Sequence, residues 1–232
     1  MPVAELRILD RAVYLPESGT LVIADLHVGR AAASEVDFPL DERGDLCGRL
    51  DTLLDPCPPE AVVIAGDILH AFDRVPHGVE ETLDTLAATV EAAGATLTIV
   101  SGNHDAMLGT LVDGPLNFEH RLADGTVVCH GHEEPTTDAD RYVIGHEHPA
   151  IEIEGQRHPC VLYGERAYDG ADVLVLPAFS RLASGMPVND LRSTDALSPI
   201  LRRGSLDEYR PIVLDDGEPL AFPRLRSLRE FL

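Results

Sequence analysis

Six short apolar runs punctuate the chain: TLVIAD (20–25), AVVIAGD (61–67), TLTIVSG (96–102), TVVCHG (126–131), YVIGH (142–146) and DVLVLPAF (172–179). They are rich in β-branched residues, and turn or polar residues follow most of them. Such runs predict strands buried on both faces. Between the second and third, Leu83, Leu86 and Val90 form one stripe, with Glu80, Glu81, Asp84 and Glu91 largely off it and Gly94 as a stop. That spacing predicts a surface helix. A second helix is expected over about 41–54, with Leu46, Leu50, Leu53 and Leu54 as its apolar face and Pro56, Pro58 and Pro59 preventing its continuation. The first hundred residues therefore follow a β-α-β-α-β order, in which parallel pairing demands right-handed crossovers. From about 117 to 179 the strands crowd together, which predicts a more antiparallel half. Towards the end, LSPILRRGSLDEY (197–209) reads as a helix and YRPIVLDDGEPLAFP (209–223) as a hairpin across Asp216 and Gly217. With no repeat and no low-complexity linker, one α/β domain over 1–232 is expected.

Charge adds a second layer. The 232 residues carry 40 acids against 18 bases, all of them Arg, for a net charge of −22. An excess spread along the whole chain resembles adaptation to very high salt, where the Debye length shrinks to about 3 Å. Under such screening an acidic surface does not exclude a nucleic-acid substrate. No run approaches the length of a membrane span, and MPVAELRILD lacks the basic start and apolar core of a secretory signal. A cytoplasmic protein without membrane contact is the expectation. Cys47, Cys57, Cys129 and Cys160 form no CxxC pair and read as reduced thiols.

Candidate chemistry gathers at the ends of the expected strands. Five pieces stand there: Asp25-Leu26-His27, Gly66-Asp67, Gly102-Asn103-His104-Asp105, His130-Gly131-His132 and Gly145-His146-Glu147-His148. Sites in α/β sheets form where loops leave the carboxyl ends of strands. In an extended segment, D-x-H and H-x-H place two donors on one side. Each piece alone reads equally well as a cap or a surface turn. Together they hold or adjoin seven of the ten histidines. Burying so many imidazoles and acids at one edge is costly unless a cation satisfies them. A metal site follows.

The ordered set D-x-H, G-D, G-N-H-D, H-G-H and G-H-x-H resembles the signature of calcineurin-like metallophosphoesterases. DLHVG, GDILH, GHEHP and LPAFSRLASGMPVN are similar to the small archaeal SbcD-related and bacterial ligase-associated members. The resemblance implies a four-layer α-β-β-α sandwich, two mixed sheets flanked by helices. It implies one metal held by Asp25, His27, Asp67 and His148, and a second by Asp67, Asn103, His130 and His146, with Asp67 shared. Mixed imidazole and oxygen donors suit two divalent transition-metal ions, manganese first, with iron or zinc possible. A hydroxide between them would attack a phosphate ester in line. His104 would protonate or stabilise the leaving oxygen, with Asp105 orienting its ring. His70 stands where many members carry an acid and reads as a partner behind the ligands. His132 faces either substrate or that outer layer, and Glu147 points away. His77, His120 and His158 read as ordinary polar residues; Arg30 could reach a phosphate, and Arg181 has similar standing, with a surface arginine the first expectation for both. The substrate class leans to phosphodiesters of nucleotides or nucleic acid. A phosphomonoesterase for small metabolites and a non-catalytic scaffold retaining the fold are the alternatives.

Overall fold

The computed structural model describes residues 6–33, 41–112 and 116–230. Its first sheet runs in the order β1 (Arg7–Leu9), β2 (Ala12–Leu15), β3 (Thr20–Ile23), β4 (Ala61–Ala65) and β5 (Thr96–Val100). β1 to β3 form an antiparallel meander, and β3, β4 and β5 are parallel. The crossovers are α2 (Glu42–Leu54) and α3 (Val79–Ala92); a single-turn helix α1 (Arg30–Ala33) precedes them. Asp41 caps α2 by accepting from the Gly44 N–H at 2.9 Å, one residue from the expected start.

The second sheet has seven strands. Its members are β6 (Glu119–Arg121), β7 (Val127–Cys129), β8 (Arg141–Ile144), β11 (Val161–Tyr168), β12 (Ala171–Val175), β14 (Arg210–Asp215) and β15 (Glu218–Ala221), ordered β15-β14-β11-β12-β8-β7-β6. The expected antiparallel bias holds only in part, because β7, β8 and β12 run parallel. A small sheet of β10 (Gln156–Pro159), β9 (Pro149–Ile153) and β13 (Met186–Pro187) lies apart.

Alternation along the strands builds the layers. Val22, Ala24, Val63 and Ala65 point inward and pack against Val128, Val143, Leu174 and Leu176 of the second sheet. Leu21, Ile23, Val62 and Ile64 point outward against Leu46, Leu50, Leu86 and Val90 of α2 and α3. On the opposite outside, Tyr142, Ile144, Val173 and Val175 pack under the small sheet and α4 (Pro199–Arg203) and α5 (Leu225–Leu228). The mixed-sheet α/β sandwich is therefore the observed fold. Its second outer layer is built from short pieces. The helix expected over 197–209 is cut to α4 and a 3-10 turn at Leu206–Glu208, because Gly204 stands extended between them. The hairpin across Asp216 and Gly217 forms as expected, both residues at positive φ.

Candidate metal centre

The carboxyl ends of five parallel-paired strands meet at one edge of the sandwich. Asp25 follows β3, Asp67 β4, Asn103 β5, His130 β7 and His146 β8, each within three residues of the strand end. Backbone bonds lock these segments together. The Asp25 N–H donates to the Gly66 carbonyl at 3.1 Å and the His27 N–H to that of Asp67 at 2.9 Å. The Asp25 carboxylate accepts from the His146 N–H at 3.0 and 3.2 Å, tying the two sheets at the site.

Local conformation there departs from the extended geometry expected of D-x-H. Asp25, His27, Asp67, His146 and His148 all lie at φ between 48° and 67°. Each such residue costs about 1–2 kcal/mol relative to ordinary backbone. Strain of this kind persists only where surrounding structure over-determines it, and it clusters at functional sites. Two glycines show the crowding that enforces it. A Cβ on Gly102 would stand 2.3 Å from the Asp67 backbone nitrogen and Oδ1, and one on Gly145 would stand 2.5 Å from Asp25 Oδ2.

The side chains converge in three donor groups; one, His27, His70 and His104, holds imidazoles alone, and the other two carry a carboxylate each. Asp25, His27 and His148 form the first of these two, and Asp67, His130 and His146 the second. In the first, His148 Nε2 lies 3.3 Å from both His27 Nε2 and Asp25 Oδ1. Donors about 2.1 Å from a shared cation stand about 3.0–3.4 Å apart, so this spacing fits one. In the second, His130 Nε2 lies 3.3 Å from Asp67 Oδ1 and 3.1 Å from Asn103 Oδ1. His130 Nδ1 lies 3.1 Å from the Ala65 carbonyl, which holds a proton on Nδ1 and turns Nε2 to the site. Asp67 stands between the groups, its Oδ1 towards His130 and its Oδ2 4.0 Å from His27 Nε2.

Electrostatics follow from burial. His27 and His146 are driven down to about 4, chiefly by desolvation, so their lone pairs are free at neutral pH. Burial also opposes charge on His130, but its hydrogen bond to Asp67 and the charges of Asp25 and Asp67 outweigh it and raise the imidazole to about 9. Burial would likewise raise the Asp67 carboxyl, yet the His130 bond and charge and the His104 N–H hold it well below the usual range. Without a cation, an imidazolium balances the buried carboxylates.

The family model for calcineurin-like phosphoesterases matches residues 20–150, more than half of the chain and every one of these segments. The chain belongs to the calcineurin-like phosphoesterase family. Among solved structures it is similar to Pseudomonas putida nuclease MPE, with a TM-score of 0.62 at 24% identity over 94% of each chain, a likeness of fold. Yfce, a phosphoesterase from E. coli, gives a TM-score of 0.44 at 14% identity over 89% of this chain and 98% of that one, too loose to carry an argument. No curated protein matches the chain in sequence.

In this calcineurin-like phosphoesterase, His104 lies beside the Asp67 carboxylate. Its Nε2 is 3.8 Å from Asp67 Oδ2, and its N–H donates to Asp67 Oδ1 at 2.9 Å. The ring is oriented differently from the expectation. Nδ1 lies 2.9 Å from the His70 carbonyl, while the buried Asp105 carboxylate accepts from the N–H groups of Leu69 (2.9 Å) and Gly102 (2.7 Å). Asp105 thus ties the two loops that carry Asp67 and Asn103, and acts on His104 only through the backbone. Directional bonding explains the difference: two loop amides with no strand partner need an acceptor, and Asp105 is the buried group that reaches both.

The His70 ring stands 5.7 Å from that of His27 and 6.2 Å from that of His104. His132 lies 5.1 Å from the His130 ring, outside all three donor groups. Glu147 turns inward to the protein and accepts from the N–H groups of Leu197 (2.9 Å) and Ser198 (3.0 Å), anchoring the His146–His148 loop. Arg181 pairs with Asp45 and Asp10, whereas Arg30 lines the cleft with His27, Asp67 and His104, contrary to its reading as a surface arginine. Sequence reasoning missed Arg11 and Arg49. Both donate to the 178–180 segment, Arg11 to Ala178 and Ser180 and Arg49 to Phe179, and the Phe179 and Ser180 N–H groups donate to the Ala24 and Asp25 carbonyls. Arg49 had a signal: it interrupts the apolar stripe of α2 between Leu46, Leu50 and Leu53.

Proposed function

We propose that the chain hydrolyses phosphodiesters of nucleotides or nucleic acid with two divalent transition-metal ions. Asp25, His27, Asp67 and His148 would hold one, and Asp67, Asn103, His130 and His146 the other. The carrying observation is Asp67 between two donor groups, its Oδ1 3.3 Å from His130 Nε2 and its Oδ2 turned to His27 Nε2 at 4.0 Å. The imidazole–carboxylate–amide mixture suits manganese first, then iron or zinc. Two such ions, when bound, supply deprotonated water near neutral pH and neutralise phosphoryl oxygens. The protein's own part is to aim that pair and handle the leaving group. His104, its Nδ1–H held by the His70 carbonyl, turns Nε2 to Asp67; as the imidazolium, with a second proton on Nε2, it would hand that proton to the departing oxygen and be left neutral.

Two features support a diester. A cavity of 260 Å³ is lined by His27, Asp67, His104, His146 and His148, and a separate one of 290 Å³ by His130 and His132, so two cavities open onto the donor groups. A phosphate at the centre has room for an organic group in each. Arg30 is the one arginine in either lining, and a monoester dianion asks for more positive charge than a diester. Pseudomonas putida nuclease MPE, alike in fold, is consistent with the same substrate class.

Turnover of an aryl phosphate monoester, the matching diester, a 2′,3′-cyclic nucleotide and single-stranded DNA, with manganese at high salt, tests this. Diester preference is expected; monoester preference overturns it, and no turnover on any substrate restores the scaffold. His104→Ala should retain both metals while losing about 10²–10⁴ in rate. An unaltered rate removes His104 from the chemistry.

A further inference from the structure

The described surface exposes four large hydrophobic side chains: Phe72 (52%), Phe118 (64%), Leu197 (45%) and Leu220 (50%). Three of them rim the metal cleft. Leu197 lines the cavity with His104, and Phe118 lines the one with His130. Phe72 lies on the His104 ring, 3.9 Å between centroids at an interplanar angle of 31°. Exposed apolar groups are ordinary when scattered, but a set gathered around one cleft marks binding. In a chain with 5% aromatic residues and a net charge of −22, their concentration there stands out against an acidic surface.

We infer that Phe72 forms a stacking subsite for the nucleobase carried by the leaving group. This rests on the phosphodiesterase reading above. The group that receives a proton from His104 departs beside His104, and Phe72, in contact with that ring, is the exposed aromatic face adjoining it. A base stacked on a half-exposed phenyl ring gains affinity without sequence readout, since every base has a π-face. Arg30 lines the cavity that contains His104, the ring on which Phe72 lies, and makes no side-chain hydrogen bond or ion pair among the described residues, so its charge is available to the backbone of a bound strand. Flat aromatic contact and one cation suit an oligonucleotide better than a small sugar phosphate, which offers no ring to stack.

Three dinucleotide substrates test this: an intact one and two analogues, each lacking one base, with product analysis identifying the nucleoside that leaves. Loss of the leaving-side base keeps the leaving alcohol and removes only the stack. Wild-type kcat/KM should fall about tenfold for that analogue, the scale of one base–aromatic contact. Phe72→Ala should bring the ratio of the two substrates towards one, and Phe72→Trp should keep it. A ratio that survives in Phe72→Ala overturns the subsite, even if both rates drop, because Phe72 would then merely pack on His104. A readout independent of turnover separates this from the hydrolase reading. The chain contains no Trp, so Phe72→Trp installs a single reporter. Quenching of its emission by adenosine monophosphate, but not by deoxyribose 5-phosphate, supports the subsite; equal or absent quenching by both refutes it. If no dinucleotide is cleaved, the hydrolase reading fails while this titration still decides the subsite.

Discussion

The two donor groups that carry a carboxylate are built differently. The group of Asp25, His27 and His148 sits entirely on residues at positive φ, and its two aspartates, counting Asp67, bring two carboxylates. The group around His130 relies on a histidine placed directly at a strand end, on the exposed neutral amide of Asn103, and on the one carboxylate of Asp67. Positive φ runs through the whole first group and through Asp67 and His146 of the second, so the two differ chiefly in carboxylate count and in the exposed Asn103 amide. A cation at the first group would meet more negative charge, while donors from both sheets frame each group. One in the second meets a ligand that reaches out from a solvent-facing loop. Under the proposed two-metal reading, the first position would be the tighter and the second the more labile.

The sharpest way to break this contrast is Asp67→Asn. Metal content of the desalted protein should fall at both positions together and activity with it; full occupancy at both would remove the shared role. Asn103→Ala should be gentler, costing one ion of two. Elemental analysis that finds both ions lost, or the first lost preferentially, would reverse the ranking of the groups.

A smaller effect concerns the metal-free protein. His130 is raised to about 9, so its contribution to stability is full below its unfolded value of about 6.5 and fades as pH rises towards 9. His27 and His146, lowered to about 4, act in the opposite sense: the unfolded chain binds their protons first, so stability falls as pH drops from about 6.5 towards 4. Thermal unfolding of chelator-treated protein should therefore peak near neutral pH and decline on both sides. With manganese bound, the alkaline decline should vanish, because the cation replaces the His130 proton. An alkaline slope that manganese leaves in place would argue against a metal position at His130.

Much of this site is legible along the chain because its donors follow strands, and a strand end is marked by an apolar run stopping at a polar residue. α2 and α3 are legible for the same reason, through periodicity and the stops after them. Other parts leave no such mark. β1 and β2 are three and four residues long, too short for alternation to register. The positive φ of Asp25 and His148 belongs to residue types that rarely announce it. The task of Asp105 depends on which amides lack partners once loops have met, and a hydrogen-bond ledger of that kind closes only in three dimensions.

Local order along the chain determined β3, β4, β5, β7, β8 and β12, the helices α2 and α3, and which polar groups lie at those strand ends, since hydrophobic periodicity and turn chemistry act over a few residues. Tertiary structure alone decided that β3–β5 and β7–β8 bring those ends to one edge, that the His70 carbonyl and not Asp105 aims His104, and that Phe72 lies on its ring. These are contacts between segments tens of residues apart, and they exist only once two sheets have packed face to face.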